Sequence, residues 1–227
     1  MADNLKIALC ISGKARSSMF CFPYIYDAFI NNAYNVDVFI HTWDECRAVD
    51  LYRPKKIEIE SEQDVLSAII PQLSLYNIRI EGNVHHNILM YYSIKKCFDL
   101  IDKDYDIVIR SRFDLLLQPK FDLTKIVRGL LNNEYDMYIP NIEFNMGGYN
   151  DQVAIGTYRS MEIYSDTFFN LNQFANDLGR WHPETFLGKQ LDDNNIRVYQ
   201  NHVDYRLVKG VSVATHWPEN PYNFLNL

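Results

Sequence analysis

The segment Leu5 to Ser12 (LKIALCIS) runs almost wholly apolar into Gly13, and a strand without a polar face has no place at the surface of a sheet. Both of its faces must be covered, which is the situation of a strand inside a parallel sheet packed between helices. The residues that follow supply the parts. An aromatic-rich stretch over 17–33, with Pro23 near its start, predicts a helix, Val36 to His41 a second strand and Lys56 to Glu60 a third. Ser61 opens a helix with acidic residues in its first turn. His86 to Ile101 has the periodicity of a long amphipathic helix, and Tyr105 to Arg112 (YDIVIRSR) is the strand after it.

Further on, Asp122 caps a helix through Leu131, and strands are expected at Asp136–Pro140 and Gln152–Gly156. Helices are expected at Ser160–Leu178 and at Pro183–Leu191, where proline suits a first turn. Ile196–Gln200 and Leu207–Val213 complete the series as late strands. Strand–helix alternation predicts an α/β fold with a mainly parallel central sheet and helices on both faces. No internal repeat, low-complexity tract or linker interrupts residues 1–227, so one domain is expected.

With 227 residues, 48% hydrophobic, the chain has material for one sizeable core. The charged fraction of 22% is ordinary and argues against disorder. A net charge of −7 argues against a nucleic-acid partner, which needs a basic face. It leaves room for a small phosphorylated ligand in a locally basic pocket. The 16 tyrosines suit carbohydrate or nucleobase surfaces, and most of them are expected in a half-buried core. Cys10, Cys21, Cys46 and Cys97 lack CxxC or zinc spacing and read as buried reduced thiols. No signal peptide or stretch of membrane-span length is visible, so a cytoplasmic location is expected.

Ligands of open α/β sheets sit at the carboxyl ends of the strands, which ranks the polar residues by position. The first strand ends in Ser12-Gly13-Lys14-Ala15-Arg16. Gly13 lets the backbone turn close to a ligand, and Lys14 and Arg16 suit phosphate or a base edge. The segment is neither a P-loop nor GxGxxG, and an ordinary strand-to-helix turn is the competing reading. The second strand ends in His41-Thr42-Trp43-Asp44, either a pocket wall or a capped turn with a packed tryptophan. His85 and His86 point in different directions on a helix, which argues against a shared metal.

The strongest signal is Arg110-Ser111-Arg112-Phe113-Asp114. Guanidiniums and a carboxylate at the end of a buried strand are costly to desolvate unless paired or used. Two readings follow. The groups form a mutual Arg–Asp salt bridge, or they bind a diphosphate with Asp114 holding a divalent cation, since Mg²⁺ and Mn²⁺ favour one or two carboxylates plus phosphate oxygens.

The series IALCISGKAR, VDVFIHTWD, YDIVIRSRFDLLL, DQVAIGTYRSM and HPETFL resembles glycosyltransferases of the GT-A fold. It is similar in particular to small enzymes of large DNA viruses and bacterial surface-polysaccharide clusters. The resemblance runs from Lys6 to beyond Glu184, and the order and spacing of the motifs carry it. It implies a GT-A-like (Rossmann-like) domain, a UDP-linked nucleotide-sugar donor and a glycan or other hydroxyl acceptor. Residues 1–120 would form the nucleotide-binding half and 121–227 the acceptor-binding half.

The resemblance also implies Mn²⁺ or Mg²⁺ at a DxD-like motif. Here that motif is Arg112-Phe113-Asp114, with arginine in place of the first aspartate. A late histidine would complete the metal site, His216 first and His202 in reserve. Ser12, Gly13 and Arg16 would cradle the nucleotide, Ser93 and Lys96 would face the nucleotide or diphosphate, and Arg110 and Arg112 would meet the diphosphate. Glu184 would be the base of an inverting reaction, and Asp151 would bind sugar or acceptor. Each carboxylate has a plainer reading: acidic residues favour first helical turns, and Asp151 follows the turn-forming Gly147-Gly148. Trp181, Tyr149 and Trp217 are candidates for stacking on the acceptor. Two other classes remain open: a nucleotidyl- or phosphotransferase on a related scaffold, and a non-catalytic nucleotide- or sugar-binding module.

Overall fold

The computed structural model describes residues 5–15, 17–43, 47–75, 78–117, 122–141, 147–201 and 205–208. Strand β1 (Lys6–Ser12) is followed by helix α1 (Ser18–Ile25), β2 (Asn35–Trp43), β3 (Lys56–Glu60) and α2 (Glu62–Ile69). A two-residue strand, β4 (Arg79–Ile80), precedes the long helix α3 (Val84–Asp99), which leads to β5 (Ile107–Ser111) and β6 (Leu115–Leu117). Next come α4 (Leu123–Leu131), β7 (Met137–Tyr138), β8 (Ala154–Thr157), α5 (Tyr158–Ser165) and α6 (Thr167–Leu178). The last described elements are β9 (Arg180–Trp181), α7 (Pro183–Asp193), β10 (Val198–Tyr199) and β11 (Tyr205–Leu207).

The main sheet has seven strands in the order β10-β7-β8-β5-β1-β2-β3. β1 is parallel to both neighbours, as its apolar Ile7–Ile11 run requires. Only β8 runs against its neighbours β5 and β7. The chain moves from β1 through β2 to β3 on one side, then returns to β5 on the other. The strand order therefore reverses at β1 and β5, where a crevice opens at the strand ends.

Alternation along β1 sorts the core into two layers. Ile7, Leu9 and Ile11 pack with Phe22 and Ile25 of α1 and Ile126 and Leu130 of α4. Ala8 and Cys10 face the other way, with Tyr91 and Cys97 of α3, Met161 of α5 and Phe186 of α7. Each such side chain, fully buried, contributes about 1.5–3 kcal/mol. β5 alternates in the same way: Ile107 and Ile109 join the first layer and Val108 the second. The next position facing the second layer is Arg110, paired in register with Cys10 and Ala154.

Side-chain caps start the helices where their sequences ask for them. The Ser61 hydroxyl accepts from the Asp64 amide at 3.4 Å, Asn83 accepts from the His86 amide at 3.1 Å, and Asp122 accepts from the Lys125 amide at 2.9 Å. Other expectations need correction. The helix expected over 160–178 is two, α5 and α6, broken at Asp166. There the Ser165 and Thr167 hydroxyls donate to the Glu162 and Tyr164 carbonyls, each at 2.8 Å, and compete with the helical ladder. The helix over 17–33 closes early with a wide turn, in which the Asn31 amide bonds the Tyr26 carbonyl at 2.7 Å. The last expected strand is shifted, to β11 paired antiparallel with β6; residues from 209 onward lie outside the described ones. The parallel pair β4–β9 had no sequence signal.

Cys10, Cys21 and Cys97 are buried free thiols, and Cys46 lies outside the described residues. Among the described residues no helix is long and apolar enough to cross a membrane.

Candidate functional site

A cleft of about 360 Å³ opens at the reversal point, a size within the range of small-ligand sites. The ends of β1, β2 and β5, the segment before β8, and the first turns of α3 and α7 all reach it. Residues from both the 1–120 and 121–227 portions therefore share one space.

At the end of β1, Gly13 has φ +110°, a conformation that side-chain-bearing residues rarely adopt. Its amide donates to the His41 carbonyl at 3.1 Å, and its own carbonyl accepts from the Thr42 hydroxyl at 2.9 Å. Among the described residues no atom stands within 4 Å of where a Cβ would be, so the backbone at Ser12-Gly13 lies open to a ligand. Lys14 pairs with Glu62 at 2.7 Å. Arg16 lies outside the described residues.

The end of β5 carries the charge. Arg110 is 2% exposed yet reaches the cleft wall. One terminal nitrogen of its guanidinium donates to the Ser111 carbonyl, while its Nε is buried without a hydrogen-bond partner. Among the described residues no carboxylate stands within ion-pair distance of it. Burial holds its proton affinity below the ordinary arginine value, though not so far that a guanidinium discharges.

Arg112 forks onto Asp114, Nε to one carboxylate oxygen at 2.7 Å and a terminal nitrogen to the other at 2.8 Å. Of the two readings of this motif, the mutual salt bridge is therefore formed. It bears on the divalent cation that the resemblance to GT-A glycosyltransferases implies. Both oxygens of Asp114 already face a guanidinium, and a second cation there would meet that charge. Among the described residues no three His, Cys, Asp or Glu side chains converge. The described residues thus do not fit a cation at Asp114. His216 and His202, the candidates to complete such a site, lie outside them.

Two carboxylates enter from the other half. Asp151 is 5% exposed, and burial followed by the charge of Glu184 pushes its pKa up to about 6, against the lowering pull of Arg112 and Arg110. Glu184, in the first turn of α7, is also raised by burial. His182 Nε2 stands 3.4 Å from its carboxylate, and burial keeps that imidazole below its ordinary pKa. Three contacts fix these carboxylates in place. The Tyr164 hydroxyl donates to the Asp151 carbonyl at 3.1 Å, the Tyr91 hydroxyl donates to the Pro183 carbonyl at 2.7 Å, and the Tyr149 amide donates to the Glu184 carbonyl at 3.0 Å. Gly148 is required here, because a Cβ would collide with the Glu184 backbone.

Ser12, Gly13, Arg110, Arg112, Asp114, Asp151 and Glu184 thus line a single cleft. Ser93 and Lys96 do not. Ser93 is buried against His41, its hydroxyl 2.7 Å from Nδ1, and Lys96 pairs with Glu58 at 2.7 Å. α3 runs away from the strand ends, so only its first turns reach the cleft, through His86, Asn87 and Met90. Lys96 lies six residues past Met90, about 9 Å along the axis. The direction of a helix between two parallel strands was the signal that would have singled out the earlier residues. Trp43 also lines the cleft while stacking on Tyr92. Trp181 is 0% exposed and packs edge-on against Phe186 at 5.2 Å, which removes it as an acceptor platform; Trp217 lies outside the described residues.

No protein-family model matches the sequence, and no curated protein matches it. Solved structures do share its architecture. One is mouse xyloside xylosyltransferase 1 in its apo form, with a TM-score of 0.50 and 10% identity over 87% of this chain and 84% of that one. At that identity the likeness concerns the fold. The chain has a GT-A-like, Rossmann-type α/β fold.

Proposed function

We propose that the chain is a glycosyltransferase that moves a sugar from a UDP-linked donor to a hydroxyl of a glycan or similar acceptor, with inversion. The observation that carries this reading is the meeting of Arg110 and Arg112 with Asp151 and Glu184 in one cleft at the strand reversal. A similar fold in a xylosyltransferase supports it, as does the motif order shared with small viral and bacterial glycosyltransferases.

In this reaction the acceptor oxygen bonds to the anomeric carbon while the bond from that carbon to the diphosphate breaks. The electron pair leaves with the diphosphate, and the acceptor proton passes to Glu184. Its raised proton affinity brings it towards working pH, where a general base is most effective. The guanidiniums meet the charge that develops on the leaving group. Gly13 lets the backbone approach the nucleotide, and Asp151 receives sugar or acceptor hydroxyls. The walls of the cleft exclude water that would otherwise compete as acceptor.

The test is to incubate the protein with a panel of UDP-sugars and simple glycosides, following UDP release and the anomeric configuration of the product. Release of UDP with transfer to the glycoside is expected. Pyrophosphate among the products points to a nucleotidyltransferase instead. Tight UDP binding without turnover of any donor points to a binding module.

A further inference from the structure

Resting on the donor reading above, we infer that this chain holds the leaving diphosphate with arginine rather than through a divalent cation on Asp114: Arg110 supplies the unneutralised charge, and Asp114 positions Arg112 beside it.

Arg110 occupies a position facing a layer of apolar side chains, where an uncompensated guanidinium is strongly unfavourable. Buried charges in folded proteins are paired or hydrogen-bonded. Arg110 has a buried Nε with no partner among the described residues, and Asp151 acts on it only through space. Its hydrogen bonds go to uncharged groups, the Ser111 carbonyl and the Tyr164 hydroxyl. It also lines the cleft, so an anion entering there completes its coordination. Asp114, the residue that a metal would need, has given both oxygens to Arg112. That fork uses Nε and one terminal nitrogen, and leaves the other terminal nitrogen of Arg112 to donate to a phosphate oxygen. The carboxylate thus acts as a clamp that orients a cation.

Two groups oppose an anion here, Asp151 and Glu184. Burial raises the proton affinity of both, so proton uptake relieves part of that opposition when a diphosphate arrives. The remaining charged pair of the cleft, Lys14 and Glu62, is neutral as a unit.

The probes are UDP and inorganic pyrophosphate, titrated calorimetrically into the full chain, with EDTA throughout and with Mn²⁺ in a parallel UDP series. Both ligands should bind in EDTA, and Mn²⁺ should tighten UDP by no more than about threefold. Arg110→Lys should weaken both by about tenfold or more, since truncating one partner of a buried charged contact costs at least that much. Asp114→Asn should weaken pyrophosphate by about three- to tenfold, less than Arg110→Lys does, because one amide oxygen still accepts from Arg112 where two carboxylate oxygens did. Arg112→Lys, at a less buried site, gives a second reading if Arg110→Lys does not fold by circular dichroism. The inference fails if UDP binds only with Mn²⁺, or if Asp114→Asn abolishes binding while Arg110→Lys leaves it intact. The glycosyltransferase reading survives that result. If neither UDP nor pyrophosphate binds with or without metal, the donor reading falls and this inference falls with it.

Discussion

Two clusters of buried polar groups lie side by side in this molecule, and they are finished differently. Behind β2, His41 is 0% exposed and uses both ring nitrogens, Nδ1 to the Ser93 hydroxyl at 2.7 Å and Nε2 to Glu60 at 2.9 Å. The Tyr92 hydroxyl donates to the other Glu60 oxygen at 3.0 Å. That network is closed and pins β2 and β3 to α3. In the neighbouring cleft, Arg110 Nε, Glu62 Oε1 and Asn87 Nδ2 are buried with no partner. Folded proteins rarely leave such groups unsatisfied. The closed cluster resembles a catalytic Ser-His-Glu arrangement by composition, yet its serine and histidine are both fully buried. The open one has access and unspent hydrogen-bonding capacity. Satisfaction separates the structural cluster from the functional one better than residue type does.

The largest effect should come from the open side. Glu184→Gln should lower turnover by about 10²–10⁴-fold, the usual contribution of a positioned base, while UDP affinity stays near that of the parent chain. UDP-release assays with matched calorimetry check both. A turnover number within threefold would remove Glu184 from the base role.

The closed side should respond in stability instead. His41→Ala strips partners from Ser93 and Glu60 and leaves a void, which together cost about 3 kcal/mol. For a chain of this size that lowers Tm by roughly 6–12 °C. UDP affinity measured well below the transition should hold within about twofold. Loss of UDP binding with unchanged Tm would reverse the assignment of the two clusters.

A third substitution tests the open cluster by stability alone. The folded pKa of Asp151 is raised from 3.8 to about 6, so the folded state binds this proton more tightly than the unfolded one. Below about pH 4 the carboxyl is protonated in both states and contributes no penalty. As pH rises through 4 to 6 the penalty grows, and above 6 it is full, about 2–3 kcal/mol. Asp151→Asn should therefore raise Tm by roughly 4–12 °C at pH 8 and change it little near pH 4. Denaturation curves at the two pH values decide it; an equal gain at both would mean that charge burial is not the cause.

Much of this layout could be read from the chain. The apolar run of β1 demands two covered faces, and the strand-end rule then leads to Gly13, Arg110, Arg112 and Asp114. What escaped depends on distance in space. Nothing local tells whether Arg112 clamps Asp114 or leaves it to a cation, because i and i+2 separation permits both. Nor does it tell that the Tyr91 and Tyr164 hydroxyls fix the backbone at 183 and 151, since buried tyrosines carry no motif. The pair β4–β9 is two residues long and set by its surroundings. Ser93 and Lys96 failed to reach the cleft for a reason that was available: a helix between parallel strands offers only its first turns to the strand ends.

Lys96 provides the smallest and sharpest test of that point. From the sequence it is a candidate for the diphosphate; in the fold it bonds Glu58 at 2.7 Å and lies 3.9 Å from Glu60. Both side chains of the Glu58 pair are about a third exposed, so solvent screens it and its worth is about 0–1 kcal/mol. Lys96→Ala should leave UDP affinity within twofold and shift Tm by no more than roughly 2–4 °C. A diphosphate contact would behave otherwise, since removing a cation from a phosphate weakens binding tenfold or more and flattens its dependence on salt. Titrations of UDP at low and moderate ionic strength separate the two outcomes. A tenfold loss with reduced salt dependence would return Lys96 to the site and mean that α3 bends its middle turns towards the ligand on binding.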